Sequence, residues 1–242
     1  YDTGSRIVKM VEEDLKPSDI MTKKSFENAI ITASAIGASS NAPPHLIAIA
    51  KKLNINLTLD DWERCGENIP LLVNMQPSGK YLGEGFFKVG GVPVVMNELN
   101  QNNLLNKDAL TVSGNTIDQN LKKVLREENE VIHDFKKPIK EKAGFLVLRS
   151  NFFDTAIMKM SVISPEFLKR YLSDPSNPNI FIAKAIVFDG PEEYHKNINN
   201  PDLNIDEQCI LVMRGCGPIG YPGSAEVVNM QPPDELLKKG IS

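Results

Sequence analysis

No stretch of this 242-residue chain approaches the ~18 consecutive apolar residues that a membrane-spanning helix needs, so a soluble protein with no membrane partner is expected. A basic excess is missing too. Lysine and arginine number 27 against 31 aspartates and glutamates, a net charge of −4. With no basic stripe to neutralise phosphates, nucleic acid is excluded as the main partner. Cysteine is scarce: Cys65, Cys209 and Cys216 make an odd number and contain no C-x-x-C pair. That usage fits a reducing compartment, the cytoplasm or an organelle whose targeting signal has been lost. It also favours small buried hydrophobes over a metal site. The one Gly-Lys pair, Gly79-Lys80, is followed by Tyr81, so the phosphate loop G-x-x-x-x-G-K-S/T is absent. G-x-G-x-x-G, G-x-S-x-G and H-E-x-x-H are absent as well, which removes the commonest dinucleotide, serine-hydrolase and zinc-protease chemistries.

What is present is ordinary in bulk, with 41% apolar and 24% charged residues and enough length for a real core. Helical spacing of apolar residues predicts helices over 6–15, over 25–35 and over 45–53, and another through Trp62. A further helix starts at Gly90-Gly91-Val92-Pro93 and ends near Leu99. Ser40 or Asn41 is expected to cap the third helix, with proline tolerated in its first turn. Ile69 to Val73 reads as a compact buried strand. Asn115 or Thr116 caps one more helix, to about Leu125. Strand-like runs follow at 145–148, 156–163, 182–188 and 210–213, separated by turn residues such as Asp189-Gly190-Pro191. The expected fold class is therefore α/β: the helix-rich part of an α/β domain over 1–105, then a β-rich, barrel-like domain over 106–242. Both are expected to be incomplete, because Tyr1 is not an initiator Met and Ser242 falls just past a helical pattern.

Chemistry-bearing residues concentrate in two places. Between Cys209 and Glu226 an apolar run gives way to four glycines and two prolines, and a single carboxylate, Glu226, follows. Such a backbone at a strand end is either a tight turn or an active-site loop. Ser39-Ser40-Asn41 opens a helix with hydroxyls, an amide and free backbone N–H groups beside a positive dipole end, where an anion is stabilised. Ordinary capping would need only one of these residues. His45 lies one turn further on. His133 and His195 sit in charged surroundings and read as surface residues, and the charge run 122–130 reads as a solvated helix face.

Several segments resemble, in order, the dihydroxy-acid and phosphogluconate dehydratases. They are Ser18-Asp19-Ile20-Met21-Thr22, Phe26-Glu27-Asn28-Ala29-Ile30, Gly37 to Leu46, Pro77-Ser78-Gly79-Lys80-Tyr81, Asp108 to Ile117, Phe188 to Tyr194 and Arg214 to Glu226. The resemblance implies an α/β domain followed by a β-barrel-like domain. It also implies loss of water from a 2,3-dihydroxy carboxylate to give a 2-keto acid. An iron–sulfur cluster of the 2Fe–2S type would act as Lewis acid on the departing hydroxyl, Mg²⁺ would hold the carboxylate end, and an ionised serine would take the C2 proton. By the same resemblance Glu226 matches a Mg²⁺ ligand, and Ser39, Ser40, Asn41 and His45 match a motif near the substrate pocket. Arg214, Gly217 and Pro218 match the loop that shapes the site, and a homo-oligomer is implied.

The departures bear on identity. Cluster cysteines and the other Mg²⁺ ligands would precede Tyr1, and the catalytic serine would follow Ser242, so no catalytic residue is expected in this chain and it should be inactive alone. Ser150-Asn-Phe-Phe-Asp-Thr-Ala-Ile-Met-Lys159 replaces the Gly-Asn-Leu-Ala-Pro-x-Gly pattern of the branched-chain amino-acid enzymes. Arg-Gly-Cys-Gly-Pro at 214–218 replaces their Arg-Tyr-Glu-Gly-Pro. Both resemble the sugar-acid branch, acting on arabinonate or xylonate. The rival readings are a dihydroxy-acid dehydratase of branched-chain biosynthesis and a truncated, non-catalytic product.

Overall fold

The structure is a computed structural model describing residues 1–151, 154–176, 180–216 and 230–241. The architecture is mixed α/β, in two compact units, Tyr1–Ile163 and Ser164–Ser242.

The first unit contains α1 (Asp2–Glu12), α2 (Pro17–Ile20), α3 (Lys23–Ile36), α4 (Ala42–Lys52), α5 (Leu59–Gly66), α6 (Gly83–Lys88), α7 (Gly91–Gln101), α8 (Ile117–Leu121), β1 (Phe145–Leu148) and β2 (Ala156–Lys159). Local signals set several boundaries. Helix α5 opens on a capping box, in which the Thr58 N–H donates to Asp61 at 3.0 Å. Helix α8 opens the same way on Thr116 and Gln119. Helix α3 stops at Gly37, whose left-handed φ of 69° lets the Ala38 N–H fold back onto the Ala33 carbonyl.

Two apolar cores result. In one, Ile31 and Ala35 of α3 and Val95 and Leu99 of α7 enclose Leu72, Val73 and Ile132. In the other, Phe26 and Ile30 of α3 meet Trp62 of α5 and Phe145 and Val147 of β1. The Trp62 ring meets Phe145 edge-on, with centroids 5.0 Å apart. Strands β1 and β2 form an antiparallel hairpin pairing Phe145 with Lys159 and Val147 with Ile157. A guanidinium fork from Arg149 to Glu63, both bonds 2.8 Å, ties this hairpin to α5.

The second unit contains α9 (Pro165–Tyr171), β3 (Lys184–Asp189), α10 (Gly190–Asn197), a 3-10 turn (Pro201–Leu203), β4 (Cys209–Arg214) and α11 (Asp234–Lys238). Strands β3 and β4 pair in parallel, from Lys184 opposite Cys209 to Asp189 opposite Arg214. Ile186, Phe188 and Tyr194 form its core.

Several expectations are corrected. Helix α8 ends at Leu121, so 122–130 is no helix face. Arg126 within it is largely enclosed, donating to the buried Glu98 carboxylate at 3.1 Å. His133 is half-buried, its N–H donating to the Leu72 carbonyl, whereas His195 is exposed. Residues 69–73 are enclosed and extended, but only Leu71 and Val73 bridge, to Lys140 and Ile132. The strand expected over 156–163 ends at Lys159. Asp189-Gly190-Pro191 begins α10 rather than a turn. Residues 106–242 hold two two-stranded sheets interleaved with helices, and no closed barrel is present among the described residues. No helix there is long and apolar enough to cross a membrane.

Candidate functional site

In the first unit the polar motif sits where α3 hands over to α4. Ser39, Ser40 and His45 are exposed and Asn41 is half-buried. Ser39 organises the turn. Its Oγ accepts from the Asn41 N–H at 3.2 Å and its carbonyl from the Ala42 N–H at 3.0 Å. Asn41 is the first flanking residue of α4, but neither it nor Ser40 caps the helix through a side chain. The expected cap is therefore corrected: Asn41 already has helical backbone angles (φ −77°, ψ −19°), while a capping side chain needs an extended residue there. The expected free N–H groups are corrected as well. The Ala42 amide is engaged, and Pro43 and Pro44 have none to offer. What the turn presents is side-chain chemistry: two hydroxyls, a carboxamide and, one helical turn on, the His45 ring.

Two distant segments converge on the same turn. Ser78 Oγ donates to Ser161 Oγ at 2.9 Å, and a Cβ added to Gly37 would lie 3.2 Å from each of these oxygens. Ser78 is held there by a loop folded around Asn74, whose Oδ1 accepts from the Lys80 N–H at 2.8 Å and whose carbonyl accepts from the Tyr81 N–H at 3.0 Å. Gly79 is required in that loop, because a Cβ on it would fall 2.5 Å from Asn74 backbone carbon. Behind Ser161, Lys140 donates to the carbonyls of Met160 at 2.8 Å and Ile163 at 3.1 Å. Ser161 and Lys140 carried no signal in the sequence, since pairing over such separations leaves no local pattern.

In the second unit Arg214 closes β4 and Asp189 closes its parallel neighbour β3. The Arg214 Nε donates to the Asp189 carboxylate at 2.6 Å, which holds the guanidinium above its ordinary pKa. Both lie at the carboxyl ends of parallel strands, the edge where α/β sheets commonly bind ligands. Tyr194 of α10 holds the chain beyond. Its hydroxyl accepts from the Gln231 N–H at 2.7 Å and donates to the Gln231 carbonyl at 3.0 Å. Gly217, Pro218 and Glu226 lie outside the described residues.

The three cysteines are free and half-buried. Cys65 packs against both cores of the first unit, and burial raises its thiol pKa. Cys209 donates to Asp206 at 3.3 Å. Among the described residues no group of three or more His, Cys, Asp or Glu side chains is placed to hold a metal ion.

Comparison with known proteins gives consistent matches over both units. Residues 1–120 match the family Dihydroxy-acid/6-phosphogluconate dehydratase N-terminal, and residues 130–242 match Dihydroxy-acid/6-phosphogluconate dehydratase C-terminal. The D-xylonate dehydratase of Caulobacter vibrioides is 58% identical over 241 residues, covering 100% of this chain and 40% of that protein. The L-arabinonate dehydratase of Rhizobium leguminosarum is 50% identical over 240 residues, covering 99% and 40%. A dihydroxy-acid dehydratase of Flavobacterium psychrophilum is 36% identical over 242 residues, covering 99% and 40%. The chain thus spans about 40% of the length of these relatives.

Proposed function

This chain belongs to the dihydroxy-acid/6-phosphogluconate dehydratase family, and from that membership we propose that it serves a sugar-acid hydro-lyase. The reaction removes water from a 2,3-dihydroxy carboxylate such as D-xylonate or L-arabinonate. The C2 proton and the C3 hydroxyl leave together as water, and the resulting enol relaxes to a 2-keto-3-deoxy acid. One observation carries the choice of substrate class. Identity is 58% and 50% to relatives named for sugar acids, but 36% to one named for the dihydroxy acid.

A polyhydroxylated chain needs several hydrogen-bond partners, and a site built to satisfy them rejects analogues that lack the hydroxyls. The Ser39 and Ser40 hydroxyls and the Asn41 carboxamide supply donors and acceptors of that kind in the first unit, with His45 beside them. Arg214 supplies a planar cation in the second, suited to carboxylate. Hydroxide leaves poorly and the C2 hydrogen is weakly acidic, so a 2Fe–2S cluster and Mg²⁺ would supply the Lewis acidity that stabilises both developing charges. The described residues provide no ligand set for a cluster. Glu226 is the proposed Mg²⁺ ligand of this chain, its hard oxygen suiting that ion. A barrel-like completion of the second part and assembly of like subunits belong to the same proposal.

The test is an assay of the intact enzyme carrying this chain on D-xylonate, L-arabinonate and 2,3-dihydroxy-3-methylbutanoate, following 2-keto acid formation. Turnover of the sugar acids is expected, and exclusive turnover of the branched acid would end the reading. Glu226→Gln is expected to weaken Mg²⁺ binding, and unchanged Mg²⁺ affinity would remove that assignment.

A further inference from the structure

The last rung of the β3–β4 ladder joins two residues of opposite charge. Asp189 stands directly opposite Arg214, and partners in a parallel ladder project to the same face. Phe188 and Met213, one residue earlier on each strand, pack in the core of this unit, so alternation sends Asp189 and Arg214 to the other face. Beyond that rung both strands turn at once. Gly190 follows Asp189 at φ 89° and Gly215 follows Arg214 at φ 69°, left-handed angles that end an extended run. The Asp189 backbone is itself fixed, because its N–H donates to the Glu193 carboxylate one turn into α10.

Stability does not account for the pair. Both side chains are about two-thirds exposed (65% for Arg214, 66% for Asp189), and ion pairs in that setting contribute little. Orientation accounts for it better. A free arginine stem samples many rotamers, and that freedom is lost when the guanidinium meets a ligand. The 2.6 Å bond to Asp189 uses Nε alone, so the donors on both terminal nitrogens are not spent on Asp189. Nε lies nearest the stem, and a bond there sets the direction of the planar fork without covering its far end.

We infer that Asp189 is a positioning residue, aiming the Arg214 guanidinium at an oxygen of the hydroxy acid from the carboxyl edge of the β3–β4 pair. The inference rests on the reading of Arg214 as a substrate-binding residue, but not on which acid is bound. Asp189 touches no substrate and acts only through Arg214. Its removal therefore matters only while the guanidinium is there to be aimed.

The test is a double-mutant cycle in the intact enzyme carrying this chain, assayed on the acid it turns over, D-xylonate in the proposed function. The variants are Asp189→Ala, Asp189→Asn, Arg214→Gln and the double variant Asp189→Ala with Arg214→Gln. Asp189→Ala should lower kcat/KM by about tenfold or more, as a misaimed binding group does. Asparagine keeps an oxygen that can accept from Nε, so Asp189→Asn should restore most of the loss. In the Arg214→Gln background the same alanine should change kcat/KM by no more than about twofold, the mark of a residue acting through its partner. Melting temperatures should stay within about 2 °C of the parent, as suits an exposed pair. A kcat/KM for Asp189→Ala equal to the parent's, beside a clear loss in Arg214→Gln, overturns the inference and leaves Arg214 in the pocket. So does an alanine loss of the same size in both backgrounds, or one that comes with a lowered melting temperature and no rescue by asparagine, since either marks a purely structural carboxylate. Unchanged kcat/KM in Arg214→Gln sinks the reading of Arg214 itself, and the inference with it.

Discussion

Gly144 lies against Gly66 so closely that a Cβ on Gly144 would fall 1.8 Å from the Gly66 carbonyl oxygen. The contact brings the start of the β1–β2 hairpin onto the last residue of α5, just where Trp62 and Phe145 meet. Gly144 has no left-handed φ, so an alanine there is opposed by space alone. Gly144→Ala is expected to push the hairpin off α5 and lower stability by about 2–3 kcal/mol, the upper range for overpacking. A urea midpoint equal to the parent's would show that the hairpin yields without cost.

Asp61 gives the first unit an acid-sensitive tie. Burial raises its carboxyl pKa, but the Lys23 ammonium, the Thr58 N–H and the Arg64 guanidinium lower it further, so the net shift is downward. A depressed folded-state pKa stabilises above the ordinary aspartate value and loses that contribution as pH falls through the folded one. Asp61→Asn should cost about 1–2 kcal/mol at pH 7, counting the cap and partly exposed ion pairs. Parent and variant should converge as acid is added below about pH 4. Parallel denaturation curves at pH 7 and pH 3 that keep the same gap would contradict this.

Glu98 is 8% exposed and its two oxygens face different segments. One accepts from Arg126 at 3.1 Å, the other from the Phe135 N–H at 3.2 Å. Truncation would leave a mostly enclosed guanidinium with only the more distant Asp134 carboxylate, 3.5 Å away, and would leave the Phe135 amide unpaired. Glu98→Ala should therefore lower stability by about 3 kcal/mol, far beyond an exposed pair. Thermal unfolding within a degree of the parent would argue that water replaces the carboxylate.

Tyr194→Phe removes both bonds to Gln231 while keeping the edge-on contact with Phe188, whose centroid lies 5.5 Å away. The expected loss is about 1–2 kcal/mol. Hydrogen exchange at the Gln231 amide should accelerate, and unchanged protection there would refute the tether.

Much of this fold could be read from local pattern. Helices α3, α4 and α7 and strands β1, β3 and β4 fall within a few residues of their apolar periodicity, because each buries the stripe or face that the pattern marks. The misses share a cause. Asp189-Gly190-Pro191 has turn composition, yet proline is equally at home in the first turn of a helix, and α10 begins there. Residues 122–130 have the charge of a solvated helix, but Arg126 is drawn inward by Glu98, a partner no local window contains. The site divides the same way. Ser39, Ser40, Asn41 and His45 are neighbours in the chain and were legible as a group. Ser78 and Ser161 meet across 83 positions, and only the folded chain pairs them.

Pro43 and Pro44 carry a consequence for how this protein can change. A backbone amide is the same in every sequence, so recognition written in the main chain resists alteration by single substitutions. In the proposed site those two rings would hand the task to serine and asparagine side chains, each replaceable by one mutation while the helix stays as it is. If the proposed site holds, preference among related acids at this turn is open to stepwise retuning, with little of the scaffold put at risk.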